Sequence, residues 1–216
     1  MKRILILAPH GDDEVLGCGG TITKHIESSD LVTVAFIRNA YDKRSEIQLE
    51  NSKNSTAVLG VHKTIFLNLP YEDIKDVYKL VPILENLIKE TRPDTLYSTF
   101  YGDLHQDHRY LFEGLNSATR FHSDHRIDNI FLYNTLSSTD QGLYKYIYPF
   151  IPNYYVPLKE YHIKKKIAAL KCYTGEIKDH RHPRSETGII EQAKSIGREI
   201  REEYAEAFYA IRQISL

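Results

Sequence analysis

The stretch Ile4-Leu5-Ile6-Leu7-Ala8-Pro9-His10-Gly11-Asp12-Asp13-Glu14 runs through five apolar residues and stops abruptly at imidazole and carboxylate. A continuous apolar run of this length fits a strand covered on both faces, and such strands belong to parallel sheets. The apolar periodicity of residues 15–26 predicts a helix, so the opening unit reads strand, loop, helix. Met1-Lys2-Arg3 superficially resembles the start of a signal peptide, but the apolar run is too short and breaks into Pro9-His10-Gly11.

Working outward, residues 31–37 read as a second strand, and residues 45–59 as a helix stopped by Gly60. A third strand is expected over 64–67. Helical spacing over 74–90 ends before Arg92-Pro93, and a fourth strand follows at 95–99. A helix over 108–118 and a fifth strand over 130–133 complete an alternation that predicts an α/β layer with a mostly parallel sheet flanked by helices. The pattern then changes. Residues 135–142 are rich in Ser, Thr and Gly, and the Tyr- and Pro-rich residues 144–157 read as a lid, an arm or an added hairpin. Helices are expected over 159–170 and 186–211. The length favours one domain, 1–216.

A formal net charge of -1 gives no general attraction to nucleic acid or to an anionic membrane surface. No stretch approaches the ~20 apolar residues that span a bilayer. Cys18 and Cys172 alone build neither a disulfide framework nor a Cys-rich zinc site, which fits a reducing cytoplasm. Tyr is abundant at 16 residues and Trp absent. Aromatic surface of this kind suits stacking on a sugar ring or contact between subunits, and the Tyr-rich residues 144–155 would be the contact surface if the chain assembles.

Chemistry concentrates at two positions. His10, Asp12, Asp13 and Glu14 follow the first strand; Asp103, His105, Asp107 and His108 follow the fourth. In open parallel sheets ligands bind beyond the carboxyl ends of the strands, so the two clusters are expected to meet. His and Asp are suitable zinc ligands, and a catalytic zinc keeps three protein ligands with an open position for water. Adjacent side chains such as Asp12 and Asp13 point apart, so one should hold metal while its neighbour faces the reacting water. Taken alone, the first cluster is equally a capped loop entering a helix, with Asp12 or Asp13 as N-cap; the second cluster is what favours a metal. Gly17-Cys18-Gly19-Gly20 lacks phosphate-cradle spacing and is expected to serve close helix packing, with Cys18 buried. His122, Asp124 and His125 imitate the spacing of the second cluster but follow a helix, and form a weaker rival.

Residues 9–14 together with Asp103-Leu104-His105-Gln106-Asp107-His108-Arg109 resemble the paired signature of the PIG-L/LmbE-like zinc-dependent N-deacetylases. His182-Pro183-Arg184-Ser185 and Tyr204-Ala205-Glu206-Ala207-Phe208 are similar to that family's C-terminal pattern. The resemblance implies a Rossmann-like fold, removal of an acyl group from an N-acetylglucosamine-type sugar, and assembly into a homo-oligomer. It implies one Zn2+ per chain held by His10, Asp13 and His108, with Asp12 as general base. His105 would stabilise the oxyanion or protonate the leaving amine, with Asp107 orienting it. Many members carry an Arg that contacts substrate where this chain has Gln48; Arg44 or Arg38 would have to stand in for it. His182 and Arg184 divide evenly between lining the sugar site, their own or a neighbouring subunit's, and forming an exposed loop with ordinary charges. Two other readings use the same residues: a metal-dependent phosphoesterase, and a sugar-binding module without catalysis, which the presence of both Asp12 and His105 disfavours.

Overall fold

The structure is a computed structural model that describes residues 1–38, 43–121 and 125–215. Among these, seven strands form one sheet in the order β3-β2-β1-β4-β5-β7-β6. The strands β1 (Arg3–Ala8), β2 (Leu31–Phe36), β3 (Lys63–Phe66), β4 (Thr95–Thr99) and β5 (Asn129–Tyr133) are parallel to one another. Alternate residues of β1 serve opposite layers, as the two-residue period of a strand requires. Ile4, Ile6 and Ala8 pack in a core with helices α1 (Asp13–Glu27), α6 (Glu160–Leu170) and α7 (Glu186–Glu199). Leu5 and Leu7 pack on the other face against α4 (Val77–Thr91) and α5 (Gln106–Ala118). Helix α2 (Lys43–Leu59) lies on the α1 side, adding Leu59 to that core, and the single turn α3 (Tyr71–Ile74) adds Ile74 to the other.

From β1 the sheet grows one way through β2 and the other through β4, so the chain reverses its direction of growth between β1 and β4. The crevice at the carboxyl ends of these two strands is the switch point at which open α/β sheets bind ligands. Both charged clusters sit there.

Three expectations need correction. The helical spacing of 74–90 hides a break, because Asp76 caps a new helix by accepting the Tyr78 backbone N–H at 3.0 Å. The Tyr- and Pro-rich stretch, read as a lid, arm or hairpin, holds a 3-10 turn (Leu143–Tyr146) and then strand β6 (Tyr154–Leu158). Most sharply, residues 186–211 are not one helix. Helix α7 stops at Glu199, Arg201 turns the chain with φ of 61°, and Tyr204–Gln213 is strand β7. It pairs antiparallel with both β5 and β6. Gly197, whose carbonyl accepts the Ile200 and Glu202 N–H groups, lets the turn pack against it, but no Gly or Pro stands between it and β7, and residues 204–211 are apolar enough to prolong a helical pattern. Pairing on two sides decides the strand, not local preference.

Strand β7 also explains the Gly-rich segment. Helix α1 is irregular at Cys18 (φ -146°), and the carboxylate of Glu206 on β7 accepts the freed N–H groups of Gly20 and Thr21 at 3.0 and 2.7 Å. Glu206 is in turn bonded to buried Lys166 at 2.7 Å, whose Nζ also donates to the Leu16 carbonyl. Gly17 lies so close to the ring of Tyr133 that a Cβ would stand 2.1 Å from it, which is the close packing expected of this segment. Cys18 is buried there, and both cysteines are free. No helix among the described residues is long and apolar enough to cross a membrane.

A candidate metal-dependent active site

The first cluster is shaped by the turn from β1 into α1. Asp12 adopts a left-handed conformation (φ 102°), and its carbonyl accepts the N–H groups of Val15 and Leu16, which starts the helix. Left-handed backbone is costly for a residue with a Cβ and persists where surrounding contacts dictate it. Asp12 thus caps through its backbone, and its side chain stays free for the cleft. The second cluster enters α5 with His105 at the N-cap, its Nδ1 accepting the Asp107 N–H at 3.2 Å.

All six expected site residues meet. Asp13 Oδ2 lies 3.4 Å from His10 Nδ1 and 3.2 Å from His108 Nε2. Donor atoms around a tetrahedral zinc with bonds of about 2.0–2.1 Å are separated by about 3.3 Å, so this spacing suits the ion. The nitrogens of His10, His105 and His108 also lie within 4.8 Å of one another. His10 and His108 are common to both sets; Asp13, buried between them, and the more exposed His105 compete for the third place.

Each of the two shared imidazoles is backed by a carboxylate. His10 Nε2 is 2.9 Å from Asp107 Oδ2, and His108 Nδ1 is 3.3 Å from Asp103 Oδ2, off the hydrogen-bond axis. Carboxylates behind metal-binding imidazoles fix ring orientation and raise basicity. Asp103 is itself held by the His105 N–H, Ser138 and Thr139 at 2.7, 2.5 and 2.6 Å. The expectation that Asp107 orients His105 needs correction: its carboxylate bonds His10 and, at 2.9 Å, Arg38, and only its backbone N–H meets His105.

The electrostatics ask for a cation. Burial opposes charge on His10, yet Asp107 and Asp13 raise it to about 9. At His108 burial is likewise outweighed, by Asp13 and Asp103, which raise it to about 10. Burial would raise Asp107, but His10 and Arg38 hold it at about 2. A divalent cation in this nest of carboxylates would replace the two imidazole protons.

A cleft of about 370 Å³ opens over these groups, and Arg38, Gln48, Ser138, Glu176 and Arg184 complete its wall. Arg184 Nη1 donates to Asp12 Oδ2 and Glu176 Oε2, both at 2.9 Å, and its Nε donates to the Leu136 carbonyl and Ser137 Oγ. Of the evenly divided pair, then, Arg184 lines the site, while His182 accepts the Arg184 N–H and shapes the loop. Gln48 and Arg38 face the cleft; the side chain of Arg44 lies outside the described residues, as do His122 and Asp124 of the rival cluster. His25, His62 and His162 are engaged in hydrogen bonds away from the cleft. Sequence reasoning gave no role to Glu14, Glu176 or Tyr173. The last bonds Glu14 from 159 positions away, and no local pattern announces such a partner.

Known proteins resemble this chain in sequence and in fold. The PIG-L family, described as GlcNAc-PI de-N-acetylase, matches residues 5–119, which include both clusters. The uncharacterized deacetylase YaiS of Escherichia coli K12 is 27% identical over 180 residues, covering 79% of this chain and 89% of its own. Two solved structures share the fold. The N,N'-diacetylchitobiose deacetylase of Pyrococcus horikoshii has a TM-score of 0.73 at 21% identity, covering 98% of this chain and 84% of that one. GalB, the 4-carboxy-2-hydroxymuconate hydratase of Pseudomonas putida KT2440, has a TM-score of 0.79 at 15% identity, covering 100% and 98%. At such identities the likeness speaks for the fold, which in these two proteins serves different reactions. With more than half of its length matched, and both clusters joined at the switch point of the sheet, the chain belongs to the PIG-L family of GlcNAc-PI de-N-acetylase type.

Proposed function

We propose that the protein is a zinc-dependent N-deacetylase, with one ion per chain, that hydrolyses the acetamide of an N-acetylglucosamine-type amino sugar or sugar conjugate. The observation that carries this reading is Asp13 Oδ2 set between His10 Nδ1 and His108 Nε2, with Asp12 on the wall of the same cleft. In it His10, Asp13 and His108 hold the ion, and Asp107 and Asp103 brace the two rings. When bound, zinc supplies a Lewis acid that polarises the amide carbonyl and makes water a stronger acid.

Asp12 takes the proton of the attacking water. Burial and the neighbouring Asp13 push its carboxyl well above the ordinary range, against the pull of Arg184, which suits a group that must accept a proton. His105 receives the Asp107 N–H on Nδ1, so its neutral ring carries the proton on Nε2. That proton is available to the oxyanion or to the leaving amine. Gln48 and Arg38 are the cleft residues that would contact the sugar. We place the reaction in the cytoplasm, where free Cys18 and Cys172 are stable, and infer a homo-oligomer built through the exposed Leu143, Tyr146 and Ile147.

An amine-release screen of the zinc-loaded protein across N-acyl sugars, sugar nucleotides and sugar conjugates tests the reading. Acetate and free amine in equal amounts, at one zinc per chain, are expected. Phosphate release with two metals per chain would instead support a phosphoesterase, and binding of N-acetyl sugars without turnover a sugar-binding module.

A further inference from the structure

The strained backbone of Asp12 is held by a buried relay that reaches in from two other elements. The Asp12 N–H donates to Glu14 Oε2 at 3.1 Å. The opposite oxygen, Glu14 Oε1, accepts from Tyr173 Oη at 2.6 Å and from Ser55 Oγ at 3.1 Å. Glu14 and Ser55 are fully buried and Tyr173 is 4% exposed, so water does not compete for these bonds. Ser55 lies on α2, and Tyr173 lies on the turn that leaves α6, where its N–H bonds the Leu170 carbonyl. The Tyr173 ring also presses on the catalytic loop: a Cβ at Gly11 would meet its Cε1 at 2.9 Å.

Asp12 is therefore fixed from three directions, its N–H by Glu14, its carbonyl by the first turn of α1 and its carboxylate by Arg184. The carbonyl contacts belong to any helix start and do not select φ of 102°. The Glu14 contact does, because rotating the Asp12 peptide out of the left-handed region turns its N–H away from Oε2. A single free carboxylate could rock about its own side-chain bonds; two hydroxyls on Oε1 remove that freedom.

We propose that Tyr173 and Ser55 are positioning residues that act through Glu14 to hold Asp12 at the angle its chemistry requires. The proposal rests on Asp12 being the base, and its test separates the two. Tyr173→Phe keeps the ring against Gly11 and removes only the hydroxyl. In the zinc-loaded protein, hydrogen exchange of the amides of residues 11–13 should quicken about tenfold or more, with exchange in β1 and β4 unchanged. On whichever N-acetyl substrate the wild type turns over, kcat should fall about tenfold or more, with KM and zinc content unchanged. Ser55→Ala, which removes the donor from α2, should show the same pattern more weakly and serves if Tyr173→Phe misfolds. Wild-type exchange at 11–13 in both variants overturns the proposal, as does a loss of zinc that accounts for the lost turnover. Full activity in Asp12→Asn would instead overturn the base assignment, while the exchange result would still decide whether the relay holds the loop.

Discussion

Residues 5–119 and the chain beyond residue 134 build the same cleft by different means. The first region brings its reactive groups on loops that directly follow β1 and β4, so neighbouring strands of one sheet carry them together. The second brings Arg184, Glu176 and Tyr173, which line or brace the cleft from turns around α6 and α7. The clustered His and Asp residues are thus placed by the sheet, and Asp12 and Glu14 are held by what is laid over it. The architecture alone does not set the reaction, since a deacetylase and a hydratase both share it.

The comparison is most exposed at Asp12 and His108. Asp12→Ala should lower kcat by about 10²- to 10⁴-fold and keep its zinc, as expected for loss of a general base. His108→Ala should lose zinc and turnover together. Metal analysis beside steady-state kinetics separates them, and an inactive Asp12→Ala that has also lost its zinc would erase the division between ligand and base.

The second region is tested at Glu206. Glu206→Ala leaves the buried Lys166 ammonium and the N–H groups of Gly20 and Thr21 without their acceptor. Breaking such a buried pair costs about 3–5 kcal/mol. Chemical denaturation should show that loss while zinc stoichiometry in the folded fraction is retained; unchanged stability would mean that β7 does not support α1 in the way described.

A smaller effect is expected from pH. His10 and His108 are raised to about 9 and 10 in the metal-free site, so their contribution to folding is fully present below the unfolded value near 6.5. It is lost as pH rises through 9 and 10. Chelated protein should therefore show a Tm that declines across this range, and zinc added at pH 7 should release about two protons per ion, read by calorimetry in buffers of different ionisation enthalpy. No proton release would imply that the rings are neutral before the metal arrives.

Much of the first region was legible. The strand from 95 to 99 has its expected limits, the strands at residues 4, 31 and 130 differ from the structure by a residue at one end, and the strand at 64 differs by a residue at each end. The six residues expected at the site converge on one cleft or its immediate backing, as their positions after β1 and β4 implied. What failed was of a different kind. The strand at Tyr204–Gln213 was hidden in a helical pattern, because its conformation is dictated by β5 and β6 on either side. Asp107 was assigned to the wrong histidine, because spacing along a helix tells which side chains are near but not which way each carboxylate turns.

By itself, then, the sequence determined the alternation of strand and helix and the two clusters of His and Asp that follow β1 and β4, because apolar periodicity and residue chemistry are local properties. Only the tertiary structure decided that Arg184 meets Asp12 across 172 positions and that Tyr173 holds Glu14 across 159. Such contacts are made when helices α6 and α7 pack onto the sheet, and nothing in the neighbourhood of either residue encodes the other. The meeting of the two His and Asp clusters follows from where strands end; the grip on Asp12 follows from what folds over them.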